Sequence, residues 1–180
     1  DLPLAYPGMK IGLFGGSFDP AHEGHAHVAE TALKRLGLDR VWWLVSPQNP
    51  LKPKSSPLAE RTASARAQAH GARMVVTDLE QQLGCAFTYQ TLRALKRLYP
   101  GVAFTLIMGA DNLASFRKWR NWREVAEAVP VVIVSRHGAR AAHRLSAPRG
   151  WRYLNARLHR ESSTAIRSGR RAALAKPKRK

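Results

Sequence analysis

Five short, nearly continuous apolar runs constrain this chain more than any other feature. They are "MKIGLF" (9–14), "VWWLVS" (41–46), "ARMVVT" (72–77), "AFTLIMG" (103–109) and "VVIVS" (131–135). Polarity does not alternate along them, which is the pattern of strands covered on both faces. Helical stretches separate them. Residues 24–36 place Val28, Ala32, Leu33 and Leu36 on one face, and Gly37 stops the helix. Residues 58–70 are rich in Ala and Arg, residues 88–98 end at Pro100-Gly101, and a further helical stretch runs to about residue 128. "RYL" (152–154) is a candidate sixth strand, and Ser163 to Leu174 a last helix. The alternation predicts a doubly wound, Rossmann-like α/β domain with a parallel sheet and right-handed crossovers. In such a sheet a ligand sits beyond the carboxyl ends of the strands, where the strand order reverses.

The chain of 180 residues suits one domain, read here as residues 9–174. Residues 1–8 form an extension before Met9, and 175–180 a basic tail. No run approaches the roughly 20 apolar residues needed to cross a bilayer. Nor does "DLPLAYPGMKIG" have the basic-then-apolar order of an export signal. With a single cysteine, Cys85, and so no internal disulfide, a cytoplasmic setting is expected. The net charge is +18, and residues 136–180 carry 14 of the 30 Lys and Arg beside one acid, Glu161. That surface is either a solvated basic face or a polyanion site. No RNA-binding aromatic module or recognition helix accompanies it, so nucleic acid is not the expected partner.

The chemistry concentrates in "GGSFDPAHEGH" (15–25). Gly15 and Gly16 follow the first apolar run, where they can turn the backbone tightly and admit a ligand to the peptide groups. His22 falls just before the next helix and His25 at its start, beside a helix N-terminus that attracts anions. A zinc reading needs a third ligand, and H-x-x-H is not the usual i, i+4 helical spacing. A third reading has the histidines merely line a turn.

The string resembles the GG[ST]FDPxHxGH signature of the HxGH nucleotidyltransferases. More narrowly, the chain resembles the bacterial nicotinate-nucleotide adenylyltransferases. "SPQNPLKP" (46–53), "FTYQTLRAL" (87–95), "MGADNLASFRKWR" (108–120) and "SSTAIR" (162–167) are similar to that family's further motifs, in the same order. Phosphopantetheine adenylyltransferases, the neighbouring family, usually carry Thr where this chain has His22. Leu51, Arg120 and Glu161 depart from the residues common in the family.

The resemblance implies transfer of AMP from ATP to nicotinate mononucleotide, giving nicotinate adenine dinucleotide and pyrophosphate. It implies catalytic roles for His22, His25 and Arg167. His22 would meet the α-phosphoryl group and His25 the nucleotide phosphates. Gly15, Gly16, Ser17, Phe18, Lys52, Gly109, Asp111, Ser163 and Thr164 are the further expected ATP contacts. Thr88, Trp119 and Arg120 are expected around the nicotinate mononucleotide, with Trp119 exposed and stacking on the pyridine ring and Trp122 packing. Asp19, before Pro20, is expected to fix the turn. Mg²⁺ is expected with ATP, held mainly by phosphates and water, with no protein metal site.

Overall fold

The computed structural model describes residues 1–47, 55–135 and 150–156. They form a six-stranded, all-parallel sheet of order β3-β2-β1-β4-β5-β6. The strands are β1 (Lys10–Gly16), β2 (Arg40–Val45), β3 (Met74–Thr77), β4 (Ala103–Gly109), β5 (Val131–Ser135) and β6 (Arg152–Asn155). All five apolar runs and "RYL" are therefore strands. The order reverses between β1 and β4, which makes their carboxyl ends the switch point.

The inner strands β1, β2, β4 and β5 are buried on both faces, so each supplies two half-cores. Ile11, Leu13, Trp42, Leu44, Phe104, Leu106, Met108, Val131 and Ile133 point one way. They meet α3 (Leu79–Gln82), α4 (Thr88–Leu98) and α6 (Trp122–Ala128) through Leu79, Leu92, Leu95 and Val125. Phe14, Val41, Trp43, Val45, Ile107, Val132 and Val134 point the other way. They meet α1 (Glu23–Arg35) through Val28, Ala29, Ala32 and Leu33, and α2 (Leu58–Gln68) through Ala65. Alternation within each apolar run thus divides its side chains between two helix layers.

Three local expectations change. Gly15 and Gly16 do not make the turn. They are the last residues of β1, paired with Leu44 and Val45, and the chain turns at Phe18 instead, with φ +48°. The stretch after β4 is not one helix. It breaks into α5 (Ala110–Leu113), a 3₁₀ turn (Phe116–Lys118) and α6, with Asn121 left-handed at φ +52°. Phe116 is fully buried and packs against Trp119, Trp122 and Trp151, an aromatic knot that outweighs helical continuity. Asn is among the few residues that tolerate such a φ. The short α3 was not foreseen. The last expected helix, 163–174, lies outside the described residues.

Residues 2–9 run along the amino ends of the strands, opposite the site. Tyr99 Oη donates to Pro3 O at 2.7 Å, Arg40 Nη1 to Leu4 O at 3.0 Å, and Gly8 N–H to Gly101 O at 2.8 Å.

Candidate active site

The loop leaving β1 is built around one strained residue. Positive φ at Phe18 costs a non-glycine residue roughly 1–3 kcal/mol. The ring offsets this by burial: it is 1% exposed, against Phe14 at 5.5 Å and Trp43 at 5.2 Å. Gly16 lies against the same wedge: a Cβ there would meet the Phe18 ring at 3.1 Å, so the ring would have to give by a few tenths of an ångström. A Cβ at Gly15 would meet nothing within 4 Å, so the strand end stays open to approach there. Phe18 therefore offers a ligand its main chain and not its ring. The peptide Asp19–Pro20 is cis.

His22 is the N-cap of α1 and only 3% exposed. Its Nδ1 accepts from Gly24 N–H at 3.1 Å, while His25 Nδ1 accepts from His22 N–H at 3.2 Å. This is a capping box in which imidazoles take the parts usually played by Ser or Thr and by Glu. The three-residue spacing is the spacing a capping box needs. Both Nδ1 atoms are thereby committed as acceptors, so in the neutral rings the proton sits on Nε2. The rings lie 3.9 Å apart between centroids, tilted by 36°. Two N–H donors of fixed tautomer thus share one helix N-terminus, where the aligned peptide dipoles add positive potential.

Arg61, on α2, holds this loop from beneath and was not foreseen. It is 2% exposed. Nε donates to Ser56 O at 2.8 Å, Nη1 to Ser17 O at 2.9 Å and to Ser46 O at 2.7 Å, and Nη2 to Pro47 O at 2.8 Å. Burial lowers its pKa, and the charge of Asp19 opposes that. Asp19 Oδ2 accepts from Ser56 N–H at 3.2 Å, so Asp19 does brace the turn. Ser64 Oγ, one turn along α2, accepts from Ala21 N–H at 2.9 Å. The local sequence of α2 does not single Arg61 out, and the trace it leaves shows only in the burial. The buried stripe of α2 is Arg61, Thr62 and Ala65, with no large apolar residue where a core-facing helix would carry one.

Across the switch point, Gly109 caps α5 and Asp111 is exposed in its first turn. A Cβ at Gly109 would meet Asp111 Oδ1 at 2.6 Å. Glycine there lets the carboxylate fold back over the end of β4. Thr88 opens α4, where helix geometry leaves the Thr88 and Tyr89 N–H groups no upstream helical carbonyl. Gln90 Oε1 caps the turn by accepting from Ala86 and Phe87 N–H. Arg120 is exposed, with its guanidinium 5.1 Å from the Phe87 ring centroid, which brings it to the start of α4 beside Thr88. Trp119 is half-buried, with its ring 5.3 Å from Phe116, so it is less exposed than the sequence suggested. Trp122 packs against Phe116, as expected, under Arg117 and Arg123. Lys52, Ser163, Thr164 and Arg167 lie outside the described residues.

Under this second cluster Glu80 is buried. Thr91 Oγ1 donates to its Oε1 at 2.8 Å. Burial pushes its pKa up, against the pull of hydrogen bonds from Thr91 and Ser46. A carboxyl kept towards its neutral form therefore ties the end of β2 to α3 and α4. Among the described residues no three His, Cys, Asp or Glu side chains gather as a metal cage, and none of their helices is long and apolar enough to cross a membrane.

Residues 13–169 match a family model described as cytidylyltransferase-like. The chain is 47% identical to a probable nicotinate-nucleotide adenylyltransferase of Roseobacter denitrificans, covering 93% of this chain and 96% of that one. It is 53% identical to a second protein of that name from Cereibacter sphaeroides, over 92% of this chain and 86% of the other. In fold it is similar to the Plasmodium falciparum nicotinic acid mononucleotide adenylyltransferase solved with NaAD, at TM-score 0.72 and 18% identity, covering 89% and 83% of the two chains. Extended identity to these relatives, together with the capped histidine pair at the switch point, places the chain in the cytidylyltransferase-like family and, within it, among the nicotinate-nucleotide adenylyltransferases.

Proposed function

We propose that this enzyme transfers AMP from ATP to nicotinate mononucleotide, yielding nicotinate adenine dinucleotide and pyrophosphate. The observation that carries the reading is the His22–His25 capping box, which fixes both imidazoles through Nδ1 at a helix N-terminus beside the switch point, the kind of place that attracts a phosphate. An oxygen of the mononucleotide phosphate forms a bond to the α-phosphorus of ATP. The bond from that phosphorus to the bridging oxygen breaks, and pyrophosphate leaves with the electron pair. The nucleophile is already an anion, so neither a general base nor a covalent enzyme intermediate is required. What the protein supplies is alignment of two mutually repelling phosphates and stabilisation of charge on the phosphoryl oxygens.

In this reading His22 Nε2–H donates to an α-phosphoryl oxygen and His25 to the neighbouring phosphates. Ser17 and the amides beyond Gly16 complete that side. The adenosine lies over Gly109, with Asp111 accepting from its ribose or base. Lys52 and the "SSTAIR" motif, through Ser163, Thr164 and Arg167, would hold the β- and γ-phosphates, with the Arg fork neutralising the departing pyrophosphate. The acceptor's carboxylate lies near the start of α4 and Arg120, its ring against Trp119.

Mg²⁺ fits this donor set as a guest of the nucleotide. Both histidine Nδ1 atoms are occupied by amides, and Asp19 accepts from Ser56, so a hard cation would draw its oxygen ligands from phosphate and water. Bound there, it would shield triphosphate charge. A cytoplasmic location follows from the proposal, since both substrates are soluble cytoplasmic metabolites.

ATP labelled at the α-phosphorus provides the test. With nicotinate mononucleotide and Mg²⁺, the label should pass wholly into the dinucleotide, and none should remain on the quenched protein. Label on the protein, or in inorganic phosphate, would contradict direct adenylyl transfer.

A further inference from the structure

Four carbonyl oxygens from the ends of β1 and β2 and the start of α2 converge on one buried side chain. We propose that Arg61 is a positioning residue for the ATP half of the site, fixing the β1–α1 loop against the chain leaving β2 by donating to Ser17, Ser46, Pro47 and Ser56 carbonyls. The inference rests on the proposed reaction only for its kinetic readouts.

The reasoning starts from satisfaction. Carbonyls at strand ends that turn inward need donors, and each left alone in a buried place costs about 1–3 kcal/mol. Arg has five N–H donors in a rigid plane, and four distinct bonds are used here. Lysine, with one nitrogen and three protons, cannot span the same carbonyls. The contact to Ser17 O matters most, because Ser17 precedes the strained Phe18 and lies five residues before His22. Arg61 thus sets where the loop turns, and with it the height of the α1 N-terminus over the sheet. Ser64 acts on the same loop from the same face of α2, through Ala21 N–H next to His22. Arg61 also leaves a buried positive charge under the phosphate side, offset in part by Asp19.

No bond of Arg61 reaches Thr88, Trp119 or Arg120 directly. Loss of the fork should therefore disturb ATP and the chemical step while sparing the acceptor. That split separates positioning from general structural support, which would lower the amount of active protein and leave both KM values alone.

The experiment compares Arg61→Gln, Arg61→Lys and Ser64→Ala with the unaltered enzyme. It measures the thermal midpoint, the Kd for ATP without acceptor, and kcat and both KM values. For folded Arg61→Gln, kcat should fall about a hundredfold, the loss expected when reacting groups are misplaced by about 1 Å. Its Kd for ATP should rise, with KM for nicotinate mononucleotide unchanged. Arg61→Lys should recover part of kcat, because the charge persists and the fork does not. Ser64→Ala, a milder cut to the same brace, should lower kcat with the midpoint retained. Wild-type kcat and ATP affinity in folded Arg61→Gln would overturn the proposal, as would an equal rise in both KM values. If neither Arg61 variant folds, Ser64→Ala decides, and wild-type kcat there overturns it. If the unaltered enzyme binds ATP but makes no dinucleotide, the reaction is wrong. The ATP affinities of the variants then still decide the role of Arg61.

Discussion

The two halves of the candidate site are held in different ways. On the β1 side, His22, Phe18, Asp19 and Arg61 are all buried, and each is fixed by hydrogen bonds or ring packing. On the α4 side, Thr88 and Trp119 are half-buried and Arg120 is exposed, held over Phe87 by a cation–ring contact. The first half is the more tightly packed and hydrogen-bonded of the two, and the second is the more open to solvent. Charge stabilisation at a reacting phosphorus needs donors that do not reorganise, whereas recognition of a planar ring tolerates some movement. Substitutions on the β1 side should therefore act on kcat, and those on the α4 side on KM and acceptor choice.

Replacing His22 should break the comparison hardest. In the proposed reaction His22→Ala takes away a preorganised donor to a developing anionic oxygen, and the rate should fall by about 10²–10³. It also removes the N-cap, which costs about 0.5–2 kcal/mol of stability. A folded His22→Ala enzyme with near-normal kcat would end the catalytic role and leave only the cap.

On the other side, Trp119→Ala should raise KM for nicotinate mononucleotide about tenfold, within the roughly 1–3 kcal/mol that aromatic stacking contributes per ring. Both kcat at saturation and KM for ATP should change little. A mutant that loses kcat and keeps its acceptor KM would show that Trp119 serves the Phe116 knot and not the ligand.

Glu80 should give a smaller effect, read in stability. Its folded pKa is held above the unfolded value by burial, so its contribution is fully present at acid pH and is lost as pH rises through the folded value. The enzyme should lose thermal midpoint across that window, while Glu80→Gln, which has no charge to acquire, should not. Each kcal/mol corresponds to about 2–4 °C for a chain of this size. Parallel pH profiles for the two proteins would mean that Glu80 is already charged when folded.

How far the sequence foretold all this differs between the same two halves. The strand runs, the crossover pattern and the switch point between β1 and β4 follow from apolar runs that no water-facing element could carry. The place of the histidine pair at a helix N-terminus was legible, because the apolar face that follows it marks where the helix starts. The pair's role as a capping box was not read, although the i, i+3 spacing states it. Glycine ordinarily supplies positive φ, which points to Gly15 and Gly16 as the turn, whereas here Phe18 supplies it under aromatic packing. Arg61 was missed because local pattern treats an arginine in an Ala-rich helix as solvent-facing. Only tertiary structure brings four carbonyls to it. After β4, "ADNLASFRKWRNWREVAEA" (110–128) reads as one helix by propensity. The aromatic knot at the break joins Phe116 to Trp119 and Trp122 within the stretch and to Trp151, far along the chain.

Acceptor choice tests the central claim most directly. Nicotinate and nicotinamide mononucleotides differ only in a carboxylate against an amide, and the start of α4 with Arg120 presents donors and positive charge. The amide's NH₂ would face those donors and leave them unpaired; covered by the bound acceptor, each such group would cost about 1–3 kcal/mol, or about 5- to 150-fold. The measurement is kcat/KM for pyrophosphate release with each acceptor, under saturating ATP and Mg²⁺. A preference for nicotinate mononucleotide of that order is the predicted result. Equal values, or a preference for the amide, would contradict the assignment of the α4 side and with it the proposed reaction.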